Sequence, residues 1–487
     1  MLFNSYLFIL LFLPFSVCGY FALNRFGKYK AASAFLLLMS LWFYAYFNPK
    51  YLILILLSIA LNYAIYLGMS RGLSDNARKL LLALGLVFNI GLIFYYKYYD
   101  FFIENINALF ASDFTLHHLV LPLGISFFTF QQVSFIIDAY KREVPHYDFL
   151  DYALFVSYFP QLIAGPIVTH DEIVPQFSDK QKRKIDYDNM SAGLYLFVLG
   201  LAKKVLIADT FGEAVRVGYS DVSALNSTSA LVVMLSYTIQ IYFDFSGYCD
   251  MASGIARMMN IDLPENFNAP YKAHSIVEFW RRWHITLTRF FTRYVYLPLG
   301  GNRRGVIRTY VNIMIVFLLS GIWHGAAWTF VLWGVLHGAL SVASRSLSKY
   351  TDKLPRIVRV ALTFTLVNFL WVLFRAPTLE QAVLFFKRIF SFDLGCVSAD
   401  MLGAFDLPEL AFLLTRLFRF NVTLKYPVLL MLVFFALSLF IIFFVPTARE
   451  QTRGFNPTII RLSVMCVLLC WCICSLSGVS AFLYFNF

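Results

Sequence analysis

The stretch YVNIMIVFLLSGIWHGAAWTFVLWGVLHGALSVAS, residues 310–344, decides the fold class. It runs for 35 residues without a single Asp, Glu, Lys or Arg. A helix needs about 20 apolar residues to cross a bilayer, so this stretch is long enough to cross twice. Basic residues flank it on both sides: Arg303, Arg304 and Arg308 before it, and Arg345, Lys349 and Lys353 after it. The pattern predicts a membrane hairpin with both ends in the cytoplasm and His324 near its middle.

The composition of the whole chain agrees with a membrane protein. Hydrophobic residues make up 60% of the 487 residues, against roughly 45–50% in soluble domains. Charged residues make up only 14%, where about 25% is usual. These values exclude a soluble globular protein and an intrinsically disordered one. The net charge of +12 does not indicate nucleic acid, because Lys and Arg gather in the cytoplasmic loops of membrane proteins.

Other apolar stretches bring the predicted number of crossings to about twelve. They lie near residues 5–22, 31–48, 50–69, 79–96, 118–139, 190–208, 228–246, 357–376, 426–446 and 459–484. Basic loops follow the first, third and fifth stretches, which places the N-terminus outside and the loops 70–79 and 141–149 inside. We expect an all-α, multi-pass protein with one membrane domain over residues 1–487. Within it we distinguish N-terminal helices (1–139), a catalytic core (140–345) and C-terminal helices (346–487).

Two segments are predicted to enter the membrane without crossing it. Segment 150–167 is basic on both flanks, and Pro160, Gly165 and Pro166 would interrupt a regular helix. Segment 270–300 is too polar to face lipid. Irregular backbone is tolerated at membrane depth only where protein or water satisfies it. The two segments therefore indicate a cavity or funnel in place of a simple helix bundle.

Three polar clusters are candidates for chemistry. Asp244 closes an apolar run, where a carboxylate is either a functional group or a structural anchor. On one continuous helix, Trp280 and His284 would share a face, four residues apart. His324 lies between Gly321 and Gly325 in the apolar stretch. A lone histidine there is usually a core residue, but a buried neutral imidazole can also act as a general base.

Arginines crowd the second cluster and suggest an anionic ligand. Arg281, Arg282, Arg303 and Arg304 accompany the aromatic residues Trp280 and Trp283. Guanidinium groups beside an apolar wall suit phosphates or a pyrophosphate. A basic helix lying on anionic lipid headgroups is the alternative. The sequence contains no Ser-His-Asp order, HExxH pattern or P-loop, and we expect neither a metal nor a bound cofactor.

Several long strings resemble the membrane-bound O-acyltransferase (MBOAT) family and, within it, the membrane subunits of bacterial alginate O-acetyltransferases. The strings are PLGISFFTFQQVSFIIDAYK (122–141), YFPQLIAGPIV (158–168), DFSGYCDMASGIARM (244–258), LPENFNAPY (263–271), FWRRWHITLTRFFTRYVYLPLGGNRRG (279–305), SGIWHGAAWTFVLWGVLHG (320–338) and LWVLFRAPTLEQA (370–382). They follow one another through the middle of the chain, which makes the resemblance far more specific than a single motif.

The resemblance implies a ring of helices around a thinned centre, with a cytoplasmic funnel for the acyl donor and an opening to the outside. It identifies His324 as the invariant catalytic histidine of the family and His284 as the second one, and we add Asp244 and Trp323 as supporting residues. His324 would activate the accepting hydroxyl, and His284 would position the thioester or hydrogen-bond its carbonyl. The arginines, Trp280 and Trp283 would bind the donor.

The implied function is transfer of an acetyl group from cytoplasmic acetyl-CoA, a substrate and not a cofactor, to an extracytoplasmic polysaccharide. An SGNH-type protein or another acetyl-relay protein could complete the transfer. The expected location is the bacterial inner membrane. D-alanyl transfer or peptidoglycan acetylation by the same fold stays open. A polysaccharide transporter without chemistry would also fit the many spans and Asp244, although the sequence has no internal repeat.

Overall fold

The structure is a computed structural model that describes residues 1–407, 427–476 and 481–483. Within these ranges the chain is helical and has no β-strand, which confirms the predicted all-α class. The single pairing of extended backbone in the described ranges is an isolated antiparallel bridge between Phe267 and Trp283.

The helices are numbered in chain order. The N-terminal helices are α1 (Phe8–Arg25), α2 (Tyr29–Ala45), α3 (Pro49–Ser70), α4 (Asp75–Phe110) and α5 (Ile125–Tyr140). The central helices are α6 (Phe149–Ser157), α7 (Phe159–Leu162), α8 (His170–Ser178), α9 (Tyr187–Ser220), α10 (Ser227–Met258), α11 (Ile276–Arg282), α12 (Ile285–Phe291), α13 (Val306–His324) and α14 (Trp328–Ser346). The C-terminal helices are α15 (Ser348–Thr351), α16 (Arg356–Arg375), α17 (Leu379–Ile389), α18 (Ala399–Gly403), α19 (Pro427–Phe444), α20 (Ala448–Gln451) and α21 (Ile459–Ser475).

Polar side chains mark where several helices begin. Asn48, Asp186 and Asn226 each accept hydrogen bonds from backbone N–H groups in the first turns of α3, α9 and α10. These N–H groups have no partner inside the helix, so a side-chain oxygen at this position stabilises the helix start. The local sequence therefore contributes to these helix boundaries.

Eight helices of the described ranges are long and apolar enough to cross a membrane. They are α1, α3, α4, α9, α10, α13, α16 and α19. Two more apolar helices, α2 and α21, are shorter. The predicted stretch 118–139 contains 15 of the 16 residues of α5, and most residues of α5 are buried in the protein. Helix α4 extends beyond the predicted stretch 79–96 as far as Phe110, with 36 residues in all.

The hairpin predicted for residues 310–344 is present as two helices, α13 and α14, joined at residues 325–327. Helix α13 is among the eight candidate spanning helices and α14 is not. The two helices cross closely where Gly321 faces Gly334. A Cβ atom on Gly321 would clash with the backbone carbonyl of Phe330, and one on Gly334 would lie 2.5 Å from the carbonyl of Phe317. Glycine is needed at both positions because the backbones touch.

Segment 150–167 forms two short helices, as expected for a segment that does not cross. Helix α6 has nine residues and α7 has four, so neither is long enough to span a bilayer. Every residue from 152 to 168 is buried in the protein. The irregular backbone at Tyr158 and after α7 is therefore shielded from lipid by other parts of the chain.

Helices α9 and α10 carry charged residues that neutralise one another. Lys204 donates to Asp244 at 2.6 Å and to Asp209 at 2.8 Å, and Lys203 donates to Asp250 at 2.6 Å. Both lysines lie in a π-helical turn of α9. Asp244, predicted as a supporting residue, thus joins α9 to α10. It also accepts a hydrogen bond at 3.0 Å from the backbone N–H of residue 483.

Candidate active site

His284 lies at a break between two helices. Helix α11 ends at Arg282, Trp283 is extended, and His284 has a φ angle of 45° before α12 begins. Left-handed backbone is uncommon for a residue other than glycine, so the surroundings must hold it. The prediction that Trp280 and His284 share one helical face is wrong, because no helix runs through both residues.

Asn266 holds the chain at this break. Its backbone carbonyl accepts a hydrogen bond from the N–H of Ile285 at 3.0 Å. Its side-chain oxygen accepts from the N–H of Thr286 at 3.2 Å and from the Thr286 hydroxyl at 2.9 Å. The same oxygen lies 3.1 Å from Nδ1 of His284. Sequence analysis missed Asn266, because a lone asparagine in a loop carries no pattern that indicates such a role.

His324 is the last residue of α13 and is only 2% exposed. Its ring centroid lies 4.9 Å from that of Trp323, and 5.1 Å from those of both Trp333 and Phe374. The ring centroid of His284 lies 6.1 Å from that of Trp323. The fold therefore brings the two predicted histidines to the same indole ring, although 40 residues separate them in the sequence.

A π-helical turn in α4, Phe94–Tyr98, meets the C-terminal end of α13. Lys97 donates to the backbone carbonyls of Trp323 at 2.6 Å and His324 at 3.1 Å. The Tyr98 hydroxyl donates to the carbonyl of Ile322 at 2.8 Å. Carbonyls in the last turn of a helix have no partner in that helix, so these donors complete α13. Lys97 was missed, although a lysine in an apolar aromatic run is itself a signal.

Buried N–H groups surround His324. His337 on α14 is fully buried, and its Nδ1 accepts a hydrogen bond from the Trp280 indole at 3.2 Å. In the described ranges, the indole N–H groups of Trp323 and Trp333 and the Nε2 of His337 have no hydrogen-bond partner. Buried donors without acceptors are rare in folded proteins. Donors of this kind can stabilise negative charge that develops on a reacting oxygen.

A cavity of about 350 Å³ lies between α11, α12 and the hairpin α13–α14. Most of its wall is apolar or aromatic and includes Trp280 and Phe317. Ser320, one turn before His324, also lines it. Arg281 and Arg345 are exposed residues of the same wall. The cavity therefore combines an apolar interior with two cationic groups at its solvent side.

The other predicted donor-binding residues lie outside this cavity. Arg282 pairs with Glu278 at 2.8 Å. Trp283 is 1% exposed and packs in an aromatic cluster. Arg303 and Arg304 are exposed on the loop before α13. Arg345, by contrast, lies in the cavity wall. In the sequence it was only one of the basic residues that predict the orientation of the hairpin.

Two further arginines of the string 279–305 are neutralised by carboxylates. Arg289 on α12 pairs with Glu172 at 2.5 Å, and Arg293, in the turn after α12, pairs with Asp138 at 3.0 Å. These ion pairs attach the α12 region to α8 and α5. In the described ranges no carboxylate pairs with Arg281 or Arg345, so their charges are available to an anionic ligand.

The protonation state of His284 follows from its burial. His284 lies outside the eight candidate spanning helices, and burial lowers its pKa to about 3. The ring is therefore neutral at physiological pH. Burial is the cause because a charged imidazolium loses its hydration there.

Comparison with known proteins places this site in a family. Residues 80–375 match MBOAT, the membrane-bound O-acyltransferase family. The match covers more than half of the chain. The chain belongs to the membrane-bound O-acyltransferase family. This acyltransferase assignment confirms the predicted family and enzyme class, and the matched MBOAT range contains Lys97, Asn266, His284 and His324.

Relatives of this MBOAT protein include transferases with different acceptors. The chain is 46% identical over 415 residues to the peptidoglycan O-acetyltransferase of Helicobacter pylori, covering 79% of this chain and 78% of the relative. It is 38% identical over 401 residues to a probable alginate O-acetylase of Pseudomonas aeruginosa, covering 80% of this chain and 75% of that relative. It is 29% identical over 282 residues to the teichoic acid D-alanyltransferase of Bacillus subtilis, covering 53% of this chain and 69% of that relative.

Proposed function

We propose that the protein is an O-acetyltransferase that moves an acetyl group from cytoplasmic acetyl-CoA toward hydroxyls of a polysaccharide outside the bacterial inner membrane. The cavity beside α11–α14 is the observation that carries this proposal. Arg281 and Arg345 suit the phosphates of CoA, because unpaired guanidinium groups form strong hydrogen bonds to phosphate. The apolar wall suits the pantetheine arm, which would bring the thioester toward Ser320 and His324.

The buried groups beyond the cavity suit acyl transfer. When a hydroxyl oxygen attacks a thioester carbonyl, one group must take the hydroxyl proton. Other groups must stabilise the charge that forms on the carbonyl oxygen. His284 and His324 supply imidazoles for the first task. The indole N–H groups of Trp323 and Trp333 supply donors for the second.

The relatives favour a cell-surface glycan as the acceptor. The relative with 46% identity is named for peptidoglycan, and the one with 38% identity for alginate. We therefore rank peptidoglycan before an exopolysaccharide, which reverses the order that the sequence strings suggested. D-alanyl transfer has less support, since that relative is 29% identical over only 53% of the chain. An SGNH-type partner outside the membrane would complete the transfer to the glycan.

Purified protein in lipid nanodiscs tests the proposal. The assay follows release of free CoA from acetyl-CoA with peptidoglycan fragments or alginate oligomers as acceptors, each with and without a secreted SGNH-type protein. We expect turnover by the wild type and none by His324→Ala at an unchanged melting temperature. His118→Ala is the control, because His118 is an exposed histidine remote in sequence from both site histidines. Glycan transport without acetyl-CoA consumption would instead support the transporter alternative.

A further inference from the structure

Ser341 on α14 has a buried hydroxyl group that faces the cavity. The residue is 3% exposed and lines the cavity wall, and within the described ranges its Oγ has no hydrogen-bond partner. Other buried serines in the helices of this protein behave differently. Ser16, Ser40 and Ser157 each donate to the backbone carbonyl four residues earlier, at 2.7, 2.8 and 2.7 Å, which is a common bond for a serine inside a helix. The Ser341 hydroxyl does not make this bond, so it can bind a molecule in the cavity.

Other polar side chains of the cavity wall already use their hydrogens inside the protein. The indole N–H of Trp280 donates to Nδ1 of His337 at 3.2 Å. The Thr288 hydroxyl donates to the carbonyl of Trp280 at 3.2 Å, and the Thr292 hydroxyl donates to the carbonyl of Thr288 at 2.7 Å. All three donors belong to residues of the cavity wall. Ser341 therefore offers a ligand a hydrogen that these three residues do not.

Ser341 lies one helical turn deeper in the protein than the cation Arg345. The two residues are four apart on α14, so they share a face of the helix and are about 6 Å apart along its axis. Arg345 is exposed at the solvent side of the cavity, whereas Ser341 is buried. At the other end of the cavity, Ser320 lines the wall one turn before His324. A ligand that reaches from Arg345 toward His324 therefore meets Ser341 just below the cation.

The proposed donor has a matching group at this depth. Between the phosphates and the thioester of acetyl-CoA lies the pantetheine arm, which contains two amides, and the outer amide is the one nearer the phosphates. An amide that enters an apolar cavity loses its hydrogen bonds to water, which costs free energy unless the protein replaces them. A serine hydroxyl can donate to an amide carbonyl. Phosphate at Arg345 would thus bring the outer amide toward Ser341.

We propose that Ser341 is a donor-binding residue, whose hydroxyl donates a hydrogen bond to the carbonyl of the outer amide of a pantetheine arm. This inference rests on the proposed function and deepens it, because it names the part of the donor that the cavity recognises. The same arm occurs in CoA and in carrier proteins that bear phosphopantetheine, so the site suits either source. The thioester then lies deeper, toward Ser320 and His324.

The missing partner of Ser341 predicts how its removal affects stability. A buried hydroxyl without a partner destabilises the protein that has no ligand, since the hydroxyl has lost its hydrogen bonds to water. Ser341→Ala should therefore keep or raise the melting temperature without donor, while it weakens donor binding. A hydroxyl with a purely structural role would give the opposite result, namely a lower melting temperature and an unchanged KM.

Donors of different length test which part of the arm Ser341 binds. Acetyl-CoA and acetyl-pantetheine contain both amides, whereas S-acetyl-N-acetylcysteamine contains only the inner one. Ser341→Ala should raise the KM for the first two donors about three- to tenfold and leave the KM for the third within about twofold. Ser341→Thr keeps the hydroxyl and should resemble the wild type. Equal KM changes for all three donors, or no change for any, would overturn the proposal.

Two further variants make the comparison specific. Arg345→Glu should raise the KM for acetyl-CoA alone, because the two shorter donors lack phosphate. Ser236 on α10 is the matched control: it is 0% exposed, its hydroxyl has no partner within the described ranges, and it does not line the cavity. Ser236→Ala should leave the KM unchanged for all three donors. A KM increase in Ser236→Ala equal to that in Ser341→Ala would contradict a specific contact at Ser341.

Binding measurements separate this inference from the proposed function. Calorimetry in nanodiscs with non-reactive thioether analogues of acetyl-CoA and acetyl-pantetheine should show that Ser341→Ala weakens both about three- to tenfold. Unchanged affinities would overturn the inference even if the enzyme is active. Turnover of acetyl-CoA and of an acetylated carrier protein by the wild type identifies the source of the arm, and Ser341→Ala should raise the KM for whichever is used. If the wild type binds the analogues in this way but turns over neither donor, the proposed function is rejected and the binding site stands.

Discussion

Arg281 and Arg345 reach the cavity from different helices, so two substitutions can test the donor site. Each charge-assisted contact to phosphate contributes roughly 1.5–3 kcal/mol. Arg281→Glu and Arg345→Glu should therefore each raise the KM for acetyl-CoA at least about tenfold, with a smaller change in kcat. Steady-state kinetics over a range of acetyl-CoA concentrations measure this split.

Arg303 and Arg304 supply the comparison for that measurement. Their sequence context predicted donor contacts, but both are exposed on the loop before α13 and outside the cavity wall. Arg303→Glu and Arg304→Glu should leave the KM for acetyl-CoA within about twofold of the wild type. A large KM increase in these variants, with none at Arg281 and Arg345, would show that the loop before α13 binds the donor and that the cavity does not.

Lys97 tests whether the end of α13 must be held for catalysis. Lys97→Met removes the donor to the carbonyls of Trp323 and His324. We expect kcat to fall about tenfold and the melting temperature to drop, since hydrogen bonds to charged groups contribute about 1.5–3 kcal/mol. Lys97→Arg keeps a donor and should be less affected. Lys79→Met is the control, because Lys79 is exposed on the same helix. Equal effects at both positions would show that the hydrogen bonds of Lys97 to the end of α13 are not needed for catalysis.

Residue type alone was enough to find some site residues and not others. His284 and His324 could be selected because a histidine in an apolar or basic-aromatic string is unusual and the strings resemble a family. Asn266 and His337 could not, since their roles come from contacts with residues distant in the sequence. Arg345 was visible as a charge, but only the hairpin geometry brings it to the cavity.

At the scale of helices, the crossing of α13 and α14 depends on the absence of a side chain at Gly321. Gly321→Ala would force the helices apart, because its Cβ meets the backbone of α14 and not a movable side chain. Overpacking of this kind costs about 1–3 kcal/mol. Since His324 is three residues further along α13, kcat should fall together with the melting temperature.

Gly91 on α4 is the matched glycine for that experiment. No atom lies within 4 Å of a Cβ built there. Gly91→Ala should therefore leave activity unchanged and stabilise the helix by up to about 1 kcal/mol. Thermal unfolding and acetyl-CoA turnover of the two variants give the comparison. Equal melting temperatures of both variants would show that α13 and α14 can move apart at Gly321 without a loss of stability.

The elements differ in how far the sequence predicts them. The hairpin followed from apolar length, which is a local property, and the structure has it at the expected residues. The break before His284 did not follow, because residues 266–268 cause it through hydrogen bonds to residues 285 and 282, across separations of 19 and 14 residues. Helical spacing between Trp280 and His284 was therefore misleading, since a periodic pattern does not reveal a tertiary contact that ends a helix.

For the molecule as a whole, the basic loops predict an orientation that cysteine labelling can measure. Lys180, between α8 and α9, should be cytoplasmic, and Asp113, after α4, should be outside. In intact cells, a membrane-impermeant maleimide should label Asp113→Cys and not Lys180→Cys. The background protein should have its seven native cysteines replaced, because none of them forms a disulfide. Fast labelling at position 180 would show that segment 150–167 crosses after all.

Within the described ranges, fewer helices qualify as candidate spanning helices than the sequence has apolar stretches, for a physical reason. A stretch buried by other helices is as apolar as one buried by lipid, so composition does not distinguish the two. Helix α5 illustrates this, since its 16 residues are mostly enclosed by protein. The class, family and enzyme type were predictable from the sequence because they depend on composition and on long strings, whereas the number of spans depends on how the helices pack.

The ion pairs between α9 and α10 have a consequence for biosynthesis. A charged residue near the middle of an inserting helix costs about 2.5–3.5 kcal/mol in the translocon, and α10 carries Asp244 and Asp250. Only residues 221–226 separate it from α9, whose lysines neutralise both carboxylates. The two helices should therefore leave the translocon together. A glycosylation reporter should show poor insertion of α10 alone, rescued by α9 or by Asp244→Asn; efficient insertion of α10 by itself would mean that each helix enters the membrane independently.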